Sequence, residues 1–216
     1  SSCDDADAGY YVSSTAATSQ TACAAGTYQP STGQSSCTDA SAGYYVSSTA
    51  ATSQTACVAG TYQASTGQTS CIDASAGYYV DTTAAISQTP CPAGTYNPNT
   101  GSSDSSACID ADAGYYVNTT AATSQTACAA GTYQPSSAQT ACIDASAGYY
   151  VGTTAAISQT ACAVGTYQPN SGSSSCYQAS AGYYVNSISS TSQTACSPGT
   201  YQPNQGQTSC LDADVG

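Results

Sequence analysis

The chain has 216 residues with 12 Asp and no Glu, Lys, Arg or His, which gives a formal charge of −12. Nine Val, six Ile and one Leu, with no Phe, Met or Trp, are too few large apolar side chains for an ordinary core, and in an uncrosslinked acidic chain they would predict disorder. A surface without cations excludes nucleic-acid binding and basic attachment to anionic lipid, and the missing general bases and amines argue against an enzyme.

Thirteen cysteines change the reading, because they recur at alternating intervals of 14 and 20 residues from Cys3 to Cys210. The period is 34 residues, with one insertion of three, and a period of this size signals an array of small modules. The repeats predicted in chain order are 3–36, 37–70, 71–107 (carrying the insertion), 108–141, 142–175 and 176–209, with 210–216 starting another. Both ends fall in mid-repeat, so the expectation is a window of a longer array.

Each 34-residue repeat reads as two homologous halves of 17, since Gly recurs in every half, as at Gly9, Gly26, Gly43 and Gly60, with Tyr two residues later. In the sealed half, Cys occupies positions 1 and 15. In the open half these are Ala and Gln, as in Ala40 and Gln54. The two cysteines appear and vanish together, which points to their pairing with each other.

For a sealed half the pattern predicts a strand over Gly26–Gln29, a turn at Pro30–Gly33 and a return strand ending at Cys37. Such a hairpin brings positions 1 and 15 within reach of a disulfide. The predicted bridges are Cys23 with Cys37, Cys57 with Cys71, Cys91 with Cys108, Cys128 with Cys142, Cys162 with Cys176 and Cys196 with Cys210. Cys3 is unpaired within this window. The open half has no staple and is expected to pack its aromatic strand (Tyr44, Tyr45, Val46) on neighbouring sealed halves, with the periodic Tyr as each module's small core. The fold class expected is all-β, small and disulfide-rich: an elongated rod of short hairpin modules. The insertion within Asn97–Ser106 is expected to lengthen a solvent-facing turn.

The frame Cys57-Val-Ala-Gly-Thr-Tyr-Gln-Ala-Ser-Thr-Gly-Gln-Thr-Ser-Cys71 resembles the cysteine-rich repeats of ephrin-receptor and TNF-receptor type, which are strung in tandem in very large surface proteins of aquatic microbes and protists. Those repeats usually carry a Cys-x-x-Cys at the closing cysteine, where this chain has Cys37-Thr-Asp-Ala40. The resemblance implies an extracellular, disulfide-linked rod. Cysteine spacing in a core-poor chain likewise requires an oxidising compartment, so the expected location is extracellular or the cell surface, and no apolar stretch predicts direct membrane insertion.

Thirty-six Ser and 31 Thr cluster in the open halves. They read either as plain polar surface or as O-glycan sites, with Thr15, Thr18, Thr49, Thr52, Thr83, Thr120, Thr123 and Thr154 as candidates. Asn118-Thr-Thr120 is the one N-glycosylation sequon, making Asn118 a candidate. The Asp that recurs just after the closing cysteine, at 5, 39, 73, 110, 144 and 212 with Gln178 as the exception, and the pairs Asp5/Asp7, Asp110/Asp112 and Asp212/Asp214, read as turn-forming and solubilising rather than as a calcium site, because calcium takes six to eight oxygens. No close cysteine pair suits zinc, so neither metal nor cofactor is expected. The functional expectation is a structural component of an extracellular filament, hair, stalk or fibre. Its expected partners are its own repeats or further copies of itself, with covalent glycans. The alternatives are a spacer in an adhesin or receptor-like ectodomain and, ranked lower, an ice-binding protein built on the recurring Thr-Ala-Ala-Thr.

Overall fold

The structure is a computed structural model that describes residues 3–213; the expectation placed on Asp214 lies outside them. Among the described residues there are 24 strands of two residues each, which pair two by two with their sequence neighbours, and one 3-10 turn. The protein is all-β and disulfide-rich. In the first open half, β1 (Tyr10–Tyr11) runs antiparallel to β2 (Thr21–Ala22), with Tyr10 opposite Ala22. In the following sealed half, β3 (Thr27–Tyr28) pairs with β4 (Thr38–Asp39), with Tyr28 opposite Thr38.

One expectation is corrected by these pairings. The return strand of the sealed half begins after Cys37 rather than ending on it, because Cys37 sits on the approach where its sulfur can reach Cys23. The open half forms its own two-stranded hairpin in the same register as the sealed one, so it does not depend on its neighbours for strand pairing.

Regular backbone bonds join successive halves. Gly26 N donates to Val46 O (2.8 Å), Gln29 N donates to Ala51 O (3.0 Å), and Ala50 N donates back to Cys23 O (2.8 Å). The chain divides into two compact units, Ser1–Pro92 with Asn97–Ile109 and Ala121–Thr123, and Ala93–Tyr96 with Asp110–Thr120 and Ser124–Gly216. The second unit repeats the register of the first: Gly131 N bonds Val151 O, Gln134 N bonds Ala156 O, and Ala155 N bonds Cys128 O. Three such bonds, each contributing about 1 kcal/mol net, give a junction roughly 3 kcal/mol of hydrogen bonding without any large side chain.

The recurrent glycine serves this stacking twice. Gly26 has φ of +89°, and a Cβ there would lie 2.3 Å from Gly67 O, a carbonyl two halves further along. Only glycine accepts both the left-handed backbone and the approach of that carbonyl.

The interior differs from the tyrosine core expected from sequence. Besides most of the recurrent glycines, the buried residues are the first residue of nearly every half (as Cys23, Ala40, Cys57 and Ala74), the valine after all but the first Tyr-Tyr pair (Val46, Val80, Val117, Val151, Val185), and a polar row at the matching position of sealed halves. The tyrosines are half-buried or exposed, with Tyr177 55% and Tyr201 49% accessible. A hairpin thus encloses two side chains, Cys23 with Gln29 in a sealed half or Ala40 with Val46 in an open one, and the tyrosines keep part of their surface open to solvent.

Candidate functional site

The chemistry-bearing groups of this chain are its staples and its exposed hydroxyls. Disulfides join Cys23 to Cys37, Cys57 to Cys71, Cys91 to Cys108, Cys128 to Cys142, Cys162 to Cys176 and Cys196 to Cys210, with Cα atoms 5.5–5.8 Å apart. These separations fall in the ordinary range for a bridge. The opening cysteine is buried in all but the last pair, where Cys196 is half-buried, and the closing one is half-exposed throughout. Cys3 is free and exposed.

The open half carries a latch where the sealed half carries its bridge, and the sequence reading missed it. Gln54, at the position of the closing cysteine, accepts through Oε1 from the Ser41 backbone N–H at 2.7 Å. Gln88, Gln159 and Gln193 accept in the same way from Ser75, Ser146 and Ser180. Where Asp replaces that Ser the latch doubles, since Gln20 Nε2 also donates to Asp7 Oδ2 and Gln125 Nε2 to Asp112 Oδ2, each at 2.7 Å. Thus Asp7 and Asp112 belong to the latch. The recurrence of Gln in every open half was the available signal.

A second amide row stabilises the sealed turns. Gln29 is 7% accessible, yet its Nε2 donates to Ser36 O (2.8 Å) and its Oε1 accepts from Ser31 N–H (3.2 Å), so the side chain spans the loop it starts. Gln63, Gln134, Gln168 and Gln202 repeat the arrangement. In the repeat with the insertion the residue is Asn97, fully buried; its Oδ1 still accepts from the N–H two residues on, Asn99 (3.0 Å), while its Nδ2 donates to Tyr78 O and Ser102 Oγ. No buried side-chain polar atom among the described residues is left without a partner. That matters because an unpaired buried amide costs about 1–3 kcal/mol.

The lengthened turn is exposed at Pro98–Gly101, while its first residue, Asn97, is interior. It closes through a 3-10 turn, Ser105–Ala107, whose N-cap Asp104 accepts from Ser106 N–H at 2.8 Å and also from the Ser106 hydroxyl. These bonds to the ionised form hold the Asp104 carboxyl below its ordinary value.

Among the modification candidates, Asn118 is exposed, as are Thr15, Thr18, Thr49, Thr52, Thr83, Thr120, Thr123 and Thr154. The Thr-Ala-Ala-Thr motif lies in a turn whose first alanine has positive φ (Ala16 58°, Ala50 55°), not along a strand. The Asp that follows a closing cysteine lies beside the turn of the next sealed half, Asp5 by Gly33, Asp39 by Gly67, Asp73 by Gly101 and Asp144 by Gly172, and Gln178 takes that place by Gly206. Among the described residues, no three Cys or Asp side chains gather as a metal site would require, and no helix is long and apolar enough to cross a membrane. No protein-family model matches this chain, and no curated protein matches it.

Proposed function

We propose that this chain is a structural component of an extracellular filament, hair, stalk or surface fibre, that it is glycosylated on its open halves, and that it has no catalytic role. The observation carrying this reading is the identity of the junctions: the same three backbone bonds recur from half to half in both compact units. A protein that binds or transforms a ligand concentrates unlike side chains at one place. Here the same small residues, disulfides and amides are distributed evenly, as resistance to extension and proteolysis requires. Six disulfides form and persist in an oxidising compartment. The exposed threonines and Asn118 supply hydration, directly or through glycan, around short strand edges that would otherwise pair with other chains.

Electron microscopy of purified material tests the assignment. Long fibres of uniform width are expected. Isolated flexible threads would replace it with the spacer reading, in which the binding function of an adhesin or receptor-like ectodomain lies elsewhere. An intact mass equal to the 21.3 kDa of the bare chain would remove the glycan from the proposal.

A further inference from the structure

One sealed hairpin differs chemically from its counterparts. Where Thr38, Ile72, Ile143 and Leu211 stand opposite Tyr28, Tyr62, Tyr133 and Tyr201, the fifth hairpin places Tyr177 opposite Tyr167. The two rings have centroids 5.9 Å apart and planes tilted by 46°. Tyr177 is 55% accessible and Tyr167 half-buried, so the pair is open to a diffusing oxidant. We propose that Tyr167 and Tyr177 form an oxidative cross-linking site, at which a peroxide acting with a haem peroxidase couples the two phenols into a dityrosine.

Each phenol gives up one electron and one proton to become a tyrosyl radical. The peroxide takes both electrons and both protons and leaves as two waters. The radicals join through a carbon–carbon bond between the ring positions ortho to the oxygens, and the hydrogens on those carbons move to the oxygens to restore the phenols. The net change in the protein is the loss of two hydrogens.

Ring separation is the deciding quantity. Two phenoxyl radicals on different molecules must meet by diffusion, whereas here strand register holds the partner ring in contact and only side-chain rotation is needed to bring the ortho carbons together. The bond would tie Tyr177 to Tyr167 in the hairpin already bridged by Cys162–Cys176, adding a staple that thiols cannot reduce. The site is thus independent of the filament assignment and holds equally for a spacer.

The test treats the whole chain, at low concentration, with hydrogen peroxide and a haem peroxidase. The expected product is a monomer lighter by two hydrogens, with dityrosine fluorescence and a mapped cross-link between Tyr167 and Tyr177. Tyr177→Ile copies the residue found at Ile143 and keeps the hairpin, and it should lower the monomer's dityrosine yield about tenfold, since the effective concentration of the partner ring is lost. Tyr167→Phe, which removes only the hydroxyl, should do the same. Cross-links scattered over other tyrosines, products that are only dimeric, or an unchanged yield in either variant would overturn the proposal.

Discussion

At the scale of single residues, backbone geometry constrains this protein more tightly than side-chain identity. Gly43 has φ of +83°, and an added Cβ would lie 2.2 Å from Ala84 O, which cannot move without disturbing the neighbouring bond from Ala84 N to Cys57 O. Gly43→Ala should therefore cost at least about 3 kcal/mol, combining left-handed strain with a backbone clash, and denaturant titration will read this as a lower midpoint. A smaller loss, below about 1 kcal/mol, would mean that the halves do not approach as closely as described. Asp104 makes a different forecast. Its carboxyl is depressed by the bonds from Ser106, so the cap is fully formed above the unfolded value of about 3.9 and is lost as pH falls through the lower folded value. Carboxyl titration by NMR should place Asp104 below an ordinary aspartate, and Asp104→Ala should speed amide exchange at Ser106 at neutral pH.

At the scale of the element, sealed and open halves are two solutions to one closure problem. A disulfide around a loop of this length stabilises by roughly 3 kcal/mol, while a Gln latch contributes about 1 kcal/mol per hydrogen bond. Exchanging one for the other gives a direct measurement. Cys57→Ala with Cys71→Gln recreates the open-half pair, and the amide introduced at position 71 should accept from the Val58 N–H as Gln54 does from Ser41. The double variant should lose about 2 kcal/mol, against about 3 for Cys57→Ala with Cys71→Ala, as compared by chemical denaturation. Equal losses would show that the latch contributes nothing. The hairpins themselves were legible in the sequence because Gly, Tyr and Cys mark every repeat. The strand ends were not: two-residue strands carry no alternation to count, so the return strand was expected before Cys37 and lies after it at Thr38–Asp39. The latch escaped for a related reason. A glutamine reads as surface until the chain has folded back to bring a backbone N–H to it, and the buried Gln29 row was invisible because burial of an amide depends on partners such as Ser36 O, seven residues away.

At the scale of the whole chain, stability within each compact unit is a sum of neighbour terms, because its halves bond one to the next through the same backbone groups. Removing one complete repeat, residues 142–175, brings Ala179 into the place of Ala145 and leaves every glycine in phase. Gly131 N, which now donates to Val151 O, would find Val185 O at the same step. The severed bridges also re-form, since Cys176 takes the place of Cys142 as partner to Cys128. The shortened chain should therefore fold with five disulfides and, if one repeat contributes a net ~1 kcal/mol, melt only about 2–4 °C lower. Another deletion of one full period, cut at a different point of the repeat, should behave alike, because only phase matters. A deletion about seven residues shorter should instead move the next glycine away from its acceptor carbonyl and put a side chain where a carbonyl must pass. Calorimetry distinguishes the cases: a large loss from the in-phase deletion would mean that stability rests on one particular repeat, and equal melting of the in-phase and out-of-phase deletions would mean that glycine phase does not govern the stack.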